Sequence, residues 1–340
     1  MGNSLSSCLD IVKQLILFGV GFNSTARHPY RVVIKGIEYT IDRVLGEGGS
    51  SFVYEGRDIR SGNSVALKRF VLADHLHQQC VLEEASLHRS LCPHHSIVTF
   101  YDFDVVECPD HLLPELWIVM ELCEDPSLQD YINMRMMVKQ SLSVREVYEI
   151  CNTVVHIIGH LHSQSPPVSH WDIKAENLLF ADSQNIKLCD FGSATRLYYQ
   201  PKDAHQVAMA EAELGERMTL LYRSPESLDL WSKQRVDTKC DIWSLGVLIY
   251  VLVFFEMPFE SNAMEIIDGT PHRFRQGGGI TVSEEFRPVM QLVMEKMLVR
   301  NPEMRGDIFE VSECLSAITN LPPVPRPQPG FQSAQRPRFE

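Results

Sequence analysis

The residues best suited to chemistry lie in one short stretch, from His170 to Asn177 (HWDIKAEN), with a downstream Asp190 that opens an Asp-Phe-Gly sequence. Asp172 could accept the proton of an attacking hydroxyl, and Lys174 could neutralise charge on a transferring phosphoryl group. Asn177 and Asp190 carry the amide and carboxylate oxygens that Mg²⁺ prefers. Each residue alone is more often a cap or a surface group. In this order they predict phosphoryl transfer from Mg-ATP to a protein hydroxyl.

An upstream lysine adds a second charged group. Lys68 ends the run Val-Ala-Leu-Lys on a predicted strand, where a lone lysine is ordinarily exposed. The functional interpretation is a cation that pairs with the α- and β-phosphates and is held by a helix glutamate. Glu83 and Glu84 of the following helix are both candidates. Helical spacing leaves them open, because both lie near the apolar stripe of Leu76, Cys80 and Leu87.

A glycine cluster, Gly46 to Ser51 (GEGGSS), precedes the lysine. A dinucleotide fingerprint would run from a strand into a helix, whereas Phe52 to Glu55 continues as a strand. A Walker loop would need a Gly-Lys-Ser/Thr ending, which the stretch lacks. We therefore predict a β-hairpin flap whose backbone N–H groups approach phosphates, with Ser51 in place of a third glycine.

The elements around these residues fall into two regions. Short alternating or β-branched runs predict strands, and longer periodic runs predict helices. The predicted strands are Tyr39–Leu45, Ser51–Arg57, Ser64–Phe70 and Trp117–Leu122, and the predicted helices are Leu76–Leu91, Ser143–Ser163, Cys240–Phe255 and Glu284–Val299. The expected fold is α+β and bilobal. A small β-rich N-lobe spans 37–120, a hinge 121–125 and a larger helical C-lobe 126–319. We expect 320–340 to be a proline-rich flexible tail.

Composition narrows the classes of function. The chain has 340 residues, 44% of them hydrophobic, and a formal net charge of -13, which argues against nucleic acid as a partner. Its nine cysteines are scattered without a Cys-x-x-Cys pair, so we expect free thiols in a reducing, cytoplasmic compartment.

With these motifs in place, the region from Ile37 to about Ile318 resembles the eukaryotic protein kinase fold. The likeness is strongest to the Numb-associated kinase family, with its adaptor-associated, cyclin-G-associated and lipid-anchored members. The segments that carry it are Leu45–Val53 (LGEGGSSFV), Glu84–Arg89 (EASLHR), Leu188–Thr195 (LCDFGSAT), Met218–Glu226 (MTLLYRSPE) and Val236–Trp243 (VDTKCDIW).

This resemblance implies roles for further residues. It favours Glu84 as the partner of Lys68, makes Met120 the gatekeeper, and makes Thr219 the residue that steadies Asp172 and Lys174. It implies an ATP site formed by Leu45, Gly46, Glu47, Gly48, Gly49, Val53, Ala66, Lys68, Met120, Glu121, Cys123 and Leu179. Structural anchors would be Asp241 and a buried pair of Glu226 with Arg305. Lys174 follows the serine/threonine rather than the tyrosine pattern.

One departure concerns regulation. Trp171 replaces the arginine that usually contacts a phosphate on the activation segment of such enzymes. We therefore expect an activation segment that is assembled without phosphorylation.

The N-terminal segment, residues 1–36, is interpreted as a lipid anchor. Met1 to Ser6 (MGNSLS) fits the myristoylation pattern on Gly2, and Cys8 is a candidate for palmitoylation. A single myristoyl chain binds membranes weakly, with a constant of about 10⁴ M⁻¹, so a second anchor is needed. The expectation is a cytoplasmic protein that is peripheral on Golgi, vesicle or plasma membranes.

The resemblance also implies substrates: clathrin-adaptor subunits or other vesicle-traffic proteins. Two alternatives stay open. A pseudokinase would bind nucleotide as a scaffold without turnover, although Lys68, Asp172, Asn177 and Asp190 are all present. A tyrosine or dual-specificity kinase is disfavoured by Lys174.

Overall fold

The structure, a computed structural model, describes residues 30–48, 51–107, 113–182, 185–260, 262–274 and 282–318. An antiparallel six-stranded sheet is followed by a helical region, which is the bilobal α+β architecture that the sequence predicts. Gly49, the lipidation candidates Gly2 and Cys8, and the tail 320–340 lie outside the described residues.

The sheet of the N-lobe has the order β1-β2-β3-β4-β6-β5. Two neighbouring inner strands are buried on both faces: Leu67 and Val119 pack into one cluster, and Phe70 and Leu116 into another. The strands are β1 (Tyr30–Ile34), β2 (Ile37–Glu47), β3 (Ser51–Asp58), β4 (Ser64–Val71), β5 (Phe100–Val106) and β6 (Glu115–Met120).

The first strand begins before the predicted N-lobe boundary at residue 37. Val32 and Ile34 of β1 are buried in one cluster with residues of the neighbouring strands, which explains why the sheet extends upstream. The turn to β2 has positive φ at Lys35 (49°) and Gly36 (76°), as a tight primed hairpin turn requires. The Lys35 amide donates to Asp104 Oδ2 at 3.0 Å, which ties this turn to β5.

Helix α1 (His75–Leu91) lies between β4 and β5 in sequence and begins at Asp74, whose side chain accepts from the His77 amide. Val81 and Ala85 of the helix share a buried cluster with Phe70 and Leu116 of the sheet. This packing presents the helix surface that carries Glu84 toward β4.

The C-lobe is built around α6, a helix that is buried on nearly every face from Cys240 to Leu252. Helix α3 begins with a capping box between Ser143 and Glu146, as its sequence indicates. The helices are α2 (Leu128–Met137), α3 (Val144–His162), α4 (Ala204–Arg217), α5 (Pro225–Leu228), α6 (Lys239–Phe254), α7 (Ala263–Asp268), α8 (Arg287–Leu292) and α9 (Ile308–Ser316).

One predicted helix differs in extent, and among the elements that were not predicted one helix lies close to the catalytic loop. The helix predicted from Glu284 begins only at Arg287, because Pro288 favours the first turn, and it passes at Val293–Met297 into a π-helical turn. Helix α4 was not predicted at all, and it lies inside the activation segment. Among the described residues, no helix is both long and apolar enough to cross a bilayer.

A short antiparallel pair, β7 (Leu178–Phe180) and β8 (Ile186–Leu188), lies between the predicted catalytic loop and Asp190. Leu188 accepts from the Val98 amide at 3.0 Å and donates to Ser96 O at 2.9 Å. The strand that precedes Asp190 is thereby fixed to the segment after helix α1.

Candidate active site

The loop between α3 and β7 brings Asp172 and Lys174 together. Lys174 Nζ lies 2.8 Å from Asp172 Oδ2. Thr219 Oγ1 donates to Asp172 Oδ1 at 2.6 Å and accepts from Lys174 Nζ at 2.9 Å. Asn177 Nδ2 donates to Asp172 O at 2.8 Å and to its Oδ2 at 3.0 Å. The four side chains form one hydrogen-bonded group, in which Asp172 is held in a fixed orientation.

The backbone of this loop is supported by Asp241 from helix α6. Its fully buried carboxylate accepts from the His170 and Trp171 amides, each at 2.8 Å, and lies 2.9 Å from His162 Nε2. Trp171 has a φ of 63°, a left-handed conformation that a non-glycine residue adopts at a cost. Asp241 offsets that cost by satisfying the two amides that the turn directs at it.

Lys68 on β4 forms ion pairs with two carboxylates. Its Nζ lies 2.6 Å from Glu84 Oε1 and 2.8 Å from Asp190 Oδ1. Glu83 is exposed and accepts instead from Gln79 within helix α1. The structure therefore places Glu84, rather than its neighbour, against Lys68.

Charge and burial set the protonation of this cluster. Burial acts to lower the pKa of Lys68, but Asp190 and Glu84 outweigh it and raise that pKa above its usual range. The Lys68 ammonium holds the pKa of Asp190 well below its usual range. Burial, together with the nearby Asp190 carboxylate, raises the pKa of Glu84 although Lys68 opposes this shift. The arrangement keeps the buried Lys68 cation and the half-exposed Asp190 carboxylate ionised.

Aromatic packing fixes Asp190 relative to helix α1. Phe191 is buried and stacks on His88 of α1, with ring centroids 4.6 Å apart. His88 also meets Phe100 of β5 at 5.3 Å, and His170 meets Phe191 at 5.4 Å. The contacts among these four rings connect helix α1, strand β5 and the catalytic loop. Sequence analysis did not identify His88, because a lone histidine on a helix gives no signal of such a role.

The predicted nucleotide-binding residues line the space between the lobes. The flap is the β2–β3 hairpin, in which Gly46 pairs with Val53. Ala66 pairs with Met120 across β4 and β6. Leu179 on β7 bridges to Ser127, just after the hinge. The remaining flap residues, Leu45, Glu47 and Gly48, are exposed, as a surface open to phosphates requires.

The hinge residues Glu121 and Cys123 differ in what their side chains can offer to a ligand. Glu121 donates its backbone N–H to Thr99 O, and its carboxylate contacts Thr99 and Lys187, so the side-chain oxygens are occupied by protein groups. Cys123 is half-buried, and burial raises the pKa of its thiol to about 11. The Cys123 thiol is therefore protonated at neutral pH and serves as a small apolar surface.

The residues at the predicted Mg²⁺ site fit that ion. Asn177 uses its NH₂ group for both hydrogen bonds to Asp172, so its amide oxygen is the atom suited to a hard cation. Asp190 supplies a permanently ionised carboxylate. The described residues contain no group of three or more His, Cys, Asp or Glu side chains that could hold a metal unaided. Asn177 and Asp190 each offer an oxygen, and Mg²⁺ is typically bound by one or two protein oxygens together with substrate phosphates.

The anchor predicted behind the activation segment is a fully buried ion pair. Arg305 donates to Glu226 through two nitrogens, at 2.7 and 2.8 Å, and both side chains have no exposed surface. Arg305 also donates to Lys239 O at 2.8 Å. The bidentate geometry fixes the start of α5, and with it the end of the activation segment, against helix α6.

Comparison with known proteins agrees with this geometry. A model of the protein kinase domain matches residues 39–314. The chain belongs to the protein kinase family. The match covers both lobes and contains Lys68, Glu84, Asp172, Asn177 and Asp190.

The names of curated relatives indicate which type of protein kinase this chain is similar to. Two probable serine/threonine-protein kinases of Dictyostelium discoideum are each 31% identical, over 82% and 84% of this chain. Actin-regulating kinase 1 of Saccharomyces cerevisiae is 29% identical over 83% of it. The chain spans only 24%, 34% and 44% of the lengths of these three relatives. The matches confirm the prediction of a serine/threonine-type protein kinase domain.

Two features of this kinase domain were missed from sequence. The Lys187 contact to Glu121 has no local signal, since the two residues are far apart in the chain. Helix α4 did have one: Asp203 is an N-cap, and Val207, Ala210 and Leu214 follow at helical spacing.

Proposed function

We propose that this kinase domain transfers the γ-phosphoryl group of Mg-ATP to serine or threonine hydroxyls of protein substrates. The observation that carries the proposal is a pair of charged clusters on adjacent segments, which the Cys189 N–H links by donating to Asn177 O at 3.0 Å. One is Asp172 with Lys174 and Thr219, and the other is Lys68 with Glu84 and Asp190. The first suits the attacking hydroxyl, and the second suits the phosphates.

Each group has a distinct task. Asp172 orients the substrate hydroxyl and accepts its proton, while Lys174 stabilises charge on the oxygens of the transferring group. Lys68 neutralises the α- and β-phosphates, and Glu84 keeps Lys68 in place. Asn177 and Asp190 are the residues that would hold Mg²⁺, which would supply positive charge against the phosphates.

The test is incubation of the full-length protein with Mg-ATP and peptides that offer serine, threonine or tyrosine as the only acceptor. We expect phosphate on serine or threonine by mass spectrometry. Asp172→Asn should lower kcat by about 10²–10⁴-fold, the usual contribution of a catalytic base. The matched control is Asp42→Asn on the exposed surface of β2, which should keep the parent rate.

Three results would reject this assignment. If the parent protein binds nucleotide but does not turn it over, the alternative interpretation as a pseudokinase scaffold is supported. Product on tyrosine would indicate the other acceptor specificity. An Asp172→Asn variant as fast as the parent would exclude Asp172 as the base.

We further propose membership of the Numb-associated kinases and a role in vesicle traffic. Support comes from the five matching segments given above, such as Leu188–Thr195 and Met218–Glu226. One relative is named an actin-regulating kinase, so actin regulators form the comparison class of substrates. Purified clathrin-adaptor subunits and actin-regulatory proteins should be offered in parallel. Faster turnover of the adaptor subunits is expected, and preference for the actin regulators would reject the clathrin-adaptor assignment.

Attachment to cytoplasmic membrane faces is also a proposal, supported by the Gly2 and Cys8 pattern. Two acyl chains are needed for stable binding, so Gly2→Ala or Cys8→Ser should each shift the protein to the soluble fraction. Labelling with alkyne analogues of myristate and palmitate should report each chain. Cys80→Ser is the matched control, because Cys80 is an exposed cysteine of helix α1. Unchanged fractionation of Gly2→Ala would remove the lipid-anchor proposal.

A further inference from the structure

The activation segment between Gly192 and Ser224 contains a regular helix, α4. One face of this helix is buried: Val207, Ala210 and Leu214 are each less than 5% exposed. Their spacing of three and four residues forms a continuous apolar stripe. The stripe must therefore be covered by another part of the domain.

The residue that shares this buried cluster from the catalytic loop is Trp171. Its side chain is 1% exposed and belongs to one cluster with the α4 stripe and with Met218, Leu230, Val236 and Cys240. Trp171 Nε1 donates to Asp237 O at 3.4 Å, and its ring lies 5.6 Å from that of Tyr199. An indole thus occupies the position from which an arginine would contact a phosphate.

The C-terminal end of α4 is held by hydrogen bonds from two neighbouring segments. Arg223 donates to Gly215 O at 2.7 Å and to Met218 O at 2.8 Å, which satisfies carbonyls at the C-terminal end of the helix. Ser193, next to the Asp-Phe-Gly sequence, donates to Arg217 O at 2.5 Å. Thr219 follows the helix directly and reaches Asp172. The position of α4 thereby sets the position of Thr219.

The sequence of the segment offers few hydroxyls to a serine/threonine kinase. No serine or threonine occurs between Thr195 and Thr219. Thr195 is buried and pairs with Ser169 through two backbone hydrogen bonds of 2.9 Å, while Ser193 and Thr219 make the contacts given above. Tyr198 is exposed, and the Arg235 guanidinium lies 3.9 Å from its ring centre.

We propose that Trp171 is a positioning residue: it holds α4 against the catalytic loop by apolar contact, so that Thr219 orients Asp172 without any phosphate on the activation segment. The proposal rests on the proposed kinase function. It makes the assembled segment a permanent feature of the fold rather than a phosphorylation-dependent state.

The charges around Trp171 support an apolar contact. Asp241 is occupied by two backbone amides and His162, and Asp237 Oδ2 pairs with Arg235 Nε at 2.9 Å. A guanidinium at position 171 would face the α4 stripe without a free carboxylate from these two residues. Trp171→Arg should therefore release the helix.

The experiment compares the full-length parent with Trp171→Phe and Trp171→Arg. For Trp171→Arg we expect kcat to fall by about 10²-fold, because small misplacement of a catalytic group has effects of that size. The KM for ATP should change by less than about threefold, since the nucleotide contacts are remote from α4. Trp171→Phe keeps an apolar ring and should retain most of the parent kcat. The matched control is Trp231→Arg, at a tryptophan that is 61% exposed.

Two further measurements separate positioning from general damage. Hydrogen exchange over 204–217 should be faster in Trp171→Arg, with 239–254 still protected as in the parent. Phosphatase treatment of the parent, checked by mass spectrometry, should leave kcat unchanged. Ala210→Glu places a charge on the other side of the same contact and is the second variant if Trp171→Arg does not fold.

The outcomes are distinct. Parent protein that loses activity on dephosphorylation, at Tyr198 or elsewhere, would overturn the proposal, as would Trp171→Arg with parent kcat and parent exchange. If the parent shows no kinase activity but Trp171→Arg still increases hydrogen exchange over 204–217, the apolar contact is supported. The proposed kinase function is then rejected.

Discussion

Lys187 Nζ lies 2.7 and 2.6 Å from the two carboxylate oxygens of Glu121, which joins the hinge to the strand that precedes Asp190. Thr99 completes the contact, since its hydroxyl and its amide both donate to Glu121 Oε2, at 2.7 and 2.9 Å. These hydrogen bonds hold the pKa of Glu121 below its usual value although burial opposes them. The hinge and the strand that precedes Asp190 are therefore linked by an ion pair.

We expect Lys187→Met to break this link. The Glu121 carboxylate would lose its cation in a half-buried site, at a cost of about 1–3 kcal/mol in the free energy of unfolding. Hinge geometry should loosen before the catalytic loop does, so the KM for ATP should rise several-fold more than kcat falls. Steady-state kinetics and chemical denaturation measure the two effects.

Lys139→Met is the control for this change, because Lys139 is exposed at the end of α2. It should leave the KM for ATP and the free energy of unfolding at parent values. A Lys187→Met protein with parent stability and parent KM would show that the ion pair does not support the hinge.

Glu84 and Glu83 offer a matched pair for the charge cluster. Glu84→Gln removes the carboxylate that lies 2.6 Å from Lys68, whereas Glu83→Gln changes an exposed neighbour of the same type. We expect kcat/KM to fall by about 10–10²-fold for Glu84→Gln, or about 1.4–2.7 kcal/mol of transition-state stabilisation. Glu83→Gln should match the parent. Equal effects of the two substitutions would show that Glu84 is not the group that positions Lys68.

The chemistry of this site could be predicted because its residues occur in short, ordered motifs. Asp172, Lys174 and Asn177 follow one another within a few residues, so their proximity is fixed by the chain itself. Helices α3 and α6 could be predicted for a similar reason: their apolar runs are long and, for α3, capped at Ser143. Helical spacing alone left Glu83 and Glu84 open; the family resemblance favoured Glu84, and the contact of Glu84 with Lys68 agrees with that choice.

Contacts between distant segments could not be predicted in this way. The pairing of Lys187 with Glu121 depends on how β8 docks behind the hinge, and no spacing in the chain encodes it. Strand β1 is short, and its burial depends on the sheet that covers Val32 and Ile34. Trp171 could be recognised as a departure, but its apolar partner became visible only with α4 in place.

His88 makes stability depend on pH. Burial lowers the pKa of His88 from 6.5 to about 4, and its ring lies against Phe191 and 2.7 Å from Val98 O. As pH falls below 6.5 the unfolded chain binds a proton at His88 that the folded chain does not accept until about pH 4. The free energy of unfolding should therefore fall by up to about 3 kcal/mol across this window, and stay constant above it.

Urea denaturation of the parent and of His88→Leu between pH 4 and 8 tests this dependence. Burial also lowers the pKa of His94, to about 4, and that of His170, so both proteins lose stability on acidification and only the difference between them is informative. The difference in the free energy of unfolding between the two proteins should be constant above pH 7. At lower pH the parent should lose more stability than His88→Leu. Parallel curves throughout the range would show that His88 does not titrate in this way.

Breaking the Glu226–Arg305 pair should destabilise the fold more than breaking an exposed surface pair. Both side chains are fully buried, so Glu226→Gln strands the Arg305 guanidinium beside Trp243, at an expected cost of about 3–5 kcal/mol in the free energy of unfolding. The matched change is Glu38→Gln, which removes the exposed partner of Arg31 and should cost less than about 1 kcal/mol. Urea denaturation of both variants gives the comparison. A Glu226→Gln variant as stable as Glu38→Gln would mean that water or neighbouring carbonyls, such as Lys239 O, compensate the stranded charge.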